Sequence, residues 1–198
     1  MDARITAILD ALRPLQPERE SLIIAIDGRC AAGKTTLAAA LQKVVDCQVI
    51  HLDDFFLRPE QQSVERRMTP GENVDWERLI SDVLQPLCAG EHFTYRPFDC
   101  HTQGFKAPVQ GSPAALTVID GTYSCNDHLW PFSDLHIFLT LSPEMQRARI
   151  LARNGAEGAR RFHELWIPLE ERYFAASHVA ERCALCFDSD GRPCDNKK

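Results

Sequence analysis

The sequence predicts an α/β fold, a parallel sheet with helices on both faces. Three observations predict it. Short β-branched apolar runs alternate with segments of helical periodicity. Those runs are continuously apolar, as in strands buried on both faces. A glycine-bearing loop joins the first run directly to an alanine- and leucine-rich helix. No internal repeat or low-complexity tract interrupts this order, so residues 1–198 read as one domain.

Ile5, Ile8, Leu9 and Leu12 recur at helical spacing, which predicts a helix over 2–13 ended by Pro14 and Pro17. Residues 21–26 (SLIIAI) predict a buried strand, 34–45 a helix, and 49–52 a second buried strand. The polar stretch 58–72 lacks periodicity and reads as an exposed loop. Asp75 can cap a helix over 76–85 that ends near Pro86. Residues 92–99 and 106–110 read as a hairpin with Gly104 in its connection. LTVI at 116–119 and LHIFLTL at 135–141 are the third and fourth buried strands. Ser142-Pro143 opens a helix running to about Arg153, Asn154-Gly155 interrupts it, and another helix covers 160–176. Residues 184–188 form a last strand, and the polar tail from Asp188 is expected to fray.

The chain has 198 residues, 44% hydrophobic and 25% charged, which suits one globular core. A net charge of -6 argues against a broad nucleic-acid or membrane surface. No window reaches transmembrane length and no secretory leader is evident, so the 8 cysteines read as reduced thiols of a cytoplasmic protein. Cys183 and Cys186 form a CxxC near Cys194 and His178. No second pair has finger-like spacing, and the segment reads as an apolar strand.

Gly28-Arg29-Cys30-Ala31-Ala32-Gly33-Lys34-Thr35 fits G-x-x-x-x-G-K-[ST] between strand and helix. Glycines let the backbone N–H groups curl around a phosphate, and the helix beginning near Lys34 adds its positive end. Lys34 supplies a cation for the β- and γ-phosphates, and Thr35 a hydroxyl for Mg²⁺. The pattern predicts a nucleoside triphosphate site in a P-loop NTPase fold. A guanine-specific Asn-Lys-x-Asp is missing, since the one Asn-Lys is Asn196-Lys197. A small kinase needs a base for the acceptor hydroxyl and arginines to balance phosphate charge. Asp53 and Asp54 follow the second strand, and Asp120-Gly121 follows the third, all at the carboxyl edge of the sheet. Arg147, Arg149, Arg153, Arg160 and Arg161 cluster around Asn154-Gly155 as a closing lid would. A solvated helical face is the alternative for about half of them. His51 reads as a hydrogen-bonded core histidine, and Trp166 as a core anchor.

With GRCAAGKTT, HLDDFFLR, NVDWERL, YRPFDC, VIDGTYS, IFLTL, RARILARNG and FHELWIPLEERYF in order, the chain resembles the uridine kinase group of P-loop kinases. That group also holds phosphoribulokinase and bacterial pantothenate kinases. The resemblance covers most of residues 20–188. It implies ATP as co-substrate, Mg²⁺ as cofactor, a hairpin at 92–110 forming the acceptor site, and a lid at 153–161. It implies Asp53 as general base, with Lys34 and Arg153 catalytic. Residues 28–36, Thr36 included, would bind nucleotide together with Arg149 and Arg153. Asp53, Asp75, Tyr95, Phe98, His101, Tyr123 and Arg149 would meet the acceptor, and Thr35 and Asp120 the metal. Asp120 stands where nucleoside kinases usually carry Glu, and Phe98 where they carry Tyr. The implied activity is phosphoryl transfer to a small hydroxylated acceptor. Uridine or cytidine comes first, with pantothenate, a sugar phosphate or another hydroxylated metabolite as alternatives. A nucleotide-binding regulatory protein without transfer activity is the alternative of another class. The choice of ATP or GTP, and the oligomeric state, homo-oligomer included, stay open.

Overall fold

A parallel five-stranded sheet organises the chain, of which the computed structural model describes residues 2–18 and 20–194. Its elements in chain order begin with α1 (Ala3–Leu12), β1 (Leu22–Gly28), α2 (Lys34–Gln42), β2 (Gln48–His51) and α3 (Val64–Met68). A helical stretch follows: α4 (Trp76–Leu79), a π turn (Ile80–Leu84) and α5 (Gln85–Cys88). Then come β3 (Phe93–Tyr95), β4 (Phe98–Asp99), β5 (Gly104–Phe105), β6 (Val109–Gly111), β7 (Leu116–Asp120) and β8 (Leu135–Leu139). The chain closes with α6 (Pro143–Arg161), a second π turn (Phe162–Trp166), α7 (Ile167–Ser177), α8 (Val179–Arg182) and β9 (Leu185–Phe187). Strand order is β2-β7-β1-β8-β9, with every pairing parallel.

Alternation along β1 explains the two layers. Ile24 and Ile26 face one side, packing with Ile5, Ile8 and Leu12 of α1 and Leu37 and Leu41 of α2. Ile23 and Ala25 face the other, with Leu79, Val83, Tyr173 and Phe174. Burying one such aliphatic side chain contributes about 1.5–3 kcal/mol, so both faces must be covered. This is the sheet of continuous apolar strands that the sequence predicts.

Four local expectations are corrected. The stretch 58–72 is not all loop: Ser63 accepts from the Arg66 N–H at 3.0 Å and caps α3. The helix after Asp75 passes through Pro86 to Cys88. It does so by widening into a π turn just before Gln85-Pro86, and the second π turn precedes Ile167-Pro168. Proline lacks an N–H and crowds the carbonyl a turn back, and the wider turn makes room. The hairpin is split into two ladders, β3 with β6 and β4 with β5, so Gly104 lies in a strand. Arg96-Pro97 separates the ladders, since Pro97 has no donor to give. The tail folds back rather than fraying as far as Cys194, and residues 195–198 lie outside the described residues.

Gly28 ends β1 at φ 135°. A Cβ there would lie 2.0 Å from the Leu139 carbonyl oxygen and 2.7 Å from its nitrogen. Gly33 has φ 97° and open space around it. Gly28→Ala is therefore expected to lower unfolding free energy by roughly 3 kcal/mol through overpacking plus strain. Gly33→Ala should cost only about 1–2 kcal/mol of backbone strain. Urea unfolding of both variants checks the difference.

Candidate active site

The phosphate loop begins where β1 ends, and a buried carboxylate ties it down. Asp27 is wholly buried and accepts four hydrogen bonds. They come from the N–H groups of Gly28 (2.6 Å), Tyr123 (3.1 Å) and Cys125 (2.8 Å) and from the Tyr173 hydroxyl (2.8 Å). Burial pushes its pKa up, and the Cys125, Gly28 and Tyr173 donors together with Lys34 oppose that shift. The sequence reading passed over Asp27. The signal is the single charge closing the apolar run LIIAIDG.

A second carboxylate clamps the loop from outside. Glu170 on α7 accepts from the Cys30 N–H (2.9 Å) and from the Gln146 amide (2.7 Å). Gln146 in turn donates to the Cys30 carbonyl at 3.2 Å. Arg149 donates to the Ala31 carbonyl at 3.1 Å, and Arg29 pairs with Glu171. Arg153 lies close enough to Cys30 to stabilise its thiolate, yet burial still lifts that thiol to about 11. So Arg149 reaches the loop, whereas exposed Arg153 donates to Asn154 Oδ1 at 2.9 Å and lies over the Phe162 ring. Arg147 instead pairs with Glu144 on the surface at 3.5 Å. Helix α6 breaks at Gly155 (φ 67°, ψ -179°), where the sequence predicts the lid. Arg160 and Arg161 line an open cavity of about 540 Å³ with Glu157 and Glu164.

Gly33 caps α2, Ala32 is buried beneath the loop, and Thr35 and Thr36 are exposed in the first helical turn. Lys34 folds back along the loop. Its Nζ donates to the carbonyls of Gly28 (2.8 Å) and Arg29 (3.0 Å) and to Thr122 Oγ1 (3.1 Å). Thr122, also unmarked by the sequence reading, donates to the Gly28 carbonyl at 3.0 Å.

Strand β7 lies between β1 and β2, and Asp120 ends it in register with Ile26 and His51. Asp120 is buried. Its Oδ1 meets His51 Nδ1 at 2.9 Å, while its Oδ2 is buried with no hydrogen-bond partner. A buried lone carboxylate oxygen beside the loop fits a hard cation such as Mg²⁺. Among the described residues no three His, Cys, Asp or Glu groups converge as a metal site. His51 is not a core histidine: its side chain is 46% exposed at this edge, and the Asp120 hydrogen bond raises its pKa.

Asp53 and Asp54 sit beyond β2 in a 3₁₀ turn, Leu52–Phe55, and their carboxylates have different surroundings. Asp54 Oδ2 accepts from the Tyr95 hydroxyl at 3.0 Å. Asp53 is surface-accessible in the cleft near Lys34, Asp120 and His51. The cleft walls desolvate it and raise its pKa, with Asp120 and Asp54 adding to the rise against Lys34 and His51. Phe55 is fully buried, and Phe56 packs on Trp166 at 6.2 Å. Trp166 is therefore half-buried against Phe56 and lies outside both core clusters.

Arg78, which the sequence reading missed, holds this turn. It donates to the carbonyls of Asp54 (2.7 Å) and Arg96 (2.8 Å) and lies 3.4 Å from Asp75. Its guanidinium also covers the Phe55 ring at 4.4 Å. Asp75 is buried. It caps the Arg78 N–H at 3.2 Å and meets Arg58 at 3.5 Å. Tyr95 is buried against Phe55, Phe98 packs edge-on to Phe105, and His101 is exposed at the hairpin tip. Tyr123 is buried against Tyr173.

No protein-family model matches the chain, and no curated protein matches it. A solved structure of a possible uridine kinase from Bacillus stearothermophilus superposes with a TM-score of 0.65 at 20% identity, covering 92% of this chain and 100% of that one. A shikimate kinase from Bacteroides thetaiotaomicron gives a TM-score of 0.41 at 14% identity, over 85% of this chain and 86% of that one. The first likeness is one of fold. The parallel, helix-flanked sheet with its glycine loop between β1 and α2 is a P-loop NTPase fold. No helix among the described residues is long and apolar enough to cross a membrane.

Asp27→Ala leaves three buried N–H groups and a hydroxyl without an acceptor. It should cost about 3–5 kcal/mol, whereas Tyr173→Phe, losing one donor, should cost about 1 kcal/mol. Denaturant midpoints of the two variants measure this ratio.

Proposed function

We propose that the chain is a small-molecule kinase that moves the γ-phosphate of MgATP to a hydroxyl. The observation that carries this reading is the convergence, on one sheet edge, of a phosphate loop bearing Lys34 with the accessible carboxylate Asp53. A pure nucleotide-binding module has no use for a desolvated carboxylate opposite the loop. In the proposed reaction Asp53 orients the acceptor hydroxyl and takes its proton late in an in-line transfer. Lys34, Arg149 and Arg153 spread the charge that develops on the transferring group. Thr35 and Asp120 would hold Mg²⁺, which when bound neutralises phosphate charge. Arg78 and the Asp54–Tyr95 pair keep the Asp53 turn in place.

For the acceptor we put a pyrimidine nucleoside first, on the strength of the uridine kinase-like motifs. Asp75 then serves the ribose hydroxyls, and Phe98 and His101 lie on the nucleobase side. One observation favours a second reading, an acceptor carrying its own anionic group. Asp75 is already engaged by Arg58, Arg78 and its helix. Arg58 has a 36% exposed side chain, and Arg160 and Arg161 line the lid cavity. An acceptor panel with MgATP, following ADP release, decides. Uridine or cytidine should stimulate release. Stimulation only by pantothenate or phosphorylated sugars would replace the nucleoside reading and keep the kinase. Slow ATP hydrolysis unmoved by any acceptor would refute the kinase.

On the stimulating acceptor, Asp53→Asn should lower kcat by ~10²–10⁴, and Asp54→Asn by much less. Equal losses would reverse the assignment. Asp53 works ionised, and its pKa is raised, so activity is lost as pH falls through that raised value. The acidic limb of kcat/KM, which reports the free enzyme, should therefore lie above the ordinary Asp value of about 3.9. Asp53→Asn should abolish that limb.

A further inference from the structure

Four cysteines gather between the Asp27 cage and β9. Cys125, Cys183 and Cys186 are buried in one core cluster, and Cys194 packs against it. Among the described residues no three metal-ligating side chains converge, so these thiols do not form a metal cage. They form pairs instead. Cys125 and Cys183 lie 4.0 Å apart, both buried. The other pair, Cys186 and Cys194, opens to the surface through Cys194. The segment after β9 turns back on itself, pairing Phe187 with Pro193 antiparallel. That register sets Cys186 directly opposite Cys194, and the Cys194 N–H donates to the Cys186 carbonyl at 2.9 Å.

The turn between them is built. Asp188 Oδ1 accepts from the N–H groups of Asp190 (2.9 Å) and Arg192 (2.8 Å). The Asp188 N–H donates to the Arg192 carbonyl at 2.9 Å. Directly opposed antiparallel residues that share a backbone hydrogen bond have Cα atoms about 5.5 Å apart. That separation lies within the range a disulfide spans, about 4.4–6.8 Å. Burial first, and then the Cys194 thiol beside it, push the Cys186 thiol above its usual pKa, and Cys194 is partly accessible where Cys186 is not.

We propose that Cys186 and Cys194 are a site of reversible disulfide formation, closed by exchange with a small-molecule disulfide of the glutathione class. The Cys194 thiolate attacks one sulfur of the disulfide, forming a mixed disulfide and expelling one glutathione thiolate. Cys186, deprotonated as it attacks, then displaces the second glutathione from Cys194 Sγ. The two cysteine protons end on the two departing thiolates. Two thiols and one disulfide become one protein disulfide and two thiols, so electrons balance. The bond would clasp edge strand β9. That strand holds the loop-side end of β8 through the Phe187 carbonyl, which accepts from the Thr140 N–H at 2.9 Å.

The test incubates the full chain with oxidised glutathione, quenches with acid, and maps peptides without reduction. Cleavage at Asp188 and Asp190 separates Cys186 from Cys194. The expected product is a linked pair of these peptides, about 2 Da lighter than their sum, and a thermal midpoint ~5 °C higher. Cys186→Ser and Cys194→Ser should each abolish both signals. Exposed Cys88 and Cys100 report oxidant delivery. Three results would overturn the proposal once these two carry glutathione. They are a stable mixed disulfide left on Cys194, a link from Cys194 to Cys183, and unmodified thiols at both 186 and 194.

Discussion

The Asp27 cage is the constraint on which the rest depends. A carboxylate without solvent is costly unless every lone pair finds a donor. Asp27 finds its donors in three parts of the chain: the start of the phosphate loop, the turn after β7, and α7. Satisfying one buried charge thus fixes three segments relative to one another. Close approach of Gly28 to Leu139 adds the fourth, β8. What emerges is a loop whose curl is set by the fold before any phosphate arrives.

The same economy operates on the acceptor side with the opposite charge. Arg78 gathers the Asp53–Asp54 turn, the link between the two ladders of the hairpin and the Asp75 cap around one guanidinium. Asp54 is occupied by Tyr95, so Asp53 alone faces the cleft. The adjacent pair of aspartates is an electrostatic oddity in the sequence. In the fold their surroundings differ, one carboxylate bonded to Tyr95 and its neighbour left accessible. Both carboxylates that clamp the phosphate loop, Asp27 and Glu170, are raised in pKa by burial.

Most of the sheet was legible because its strands are buried on both faces, which leaves a continuous apolar signature. The phosphate loop was legible because glycine spacing and Lys34 are dictated by the backbone path. The missed residues share a reason. Asp27, Glu170, Gln146 and Arg78 act across 18 to 146 residues of chain, and no local period marks such partners. Glu170 was visible at most as a charge three residues before Tyr173 on an otherwise apolar helix face. The helix through Pro86 was misjudged because a π turn, which absorbs the proline, has no composition of its own. His51 was misjudged because a strand of four residues ends just where the site begins.

The central claim is that the nucleotide cradle and the base are separate parts brought to one edge by the fold. Calorimetric titration of MgATP onto wild type, Lys34→Ala and Asp53→Asn tests it most directly. The account predicts equal affinity for wild type and Asp53→Asn, and binding weakened at least tenfold in Lys34→Ala, a loss of about 1.4 kcal/mol or more. Failure of wild type to bind MgATP, or an Asp53→Asn loss as large as that of Lys34→Ala, would contradict it.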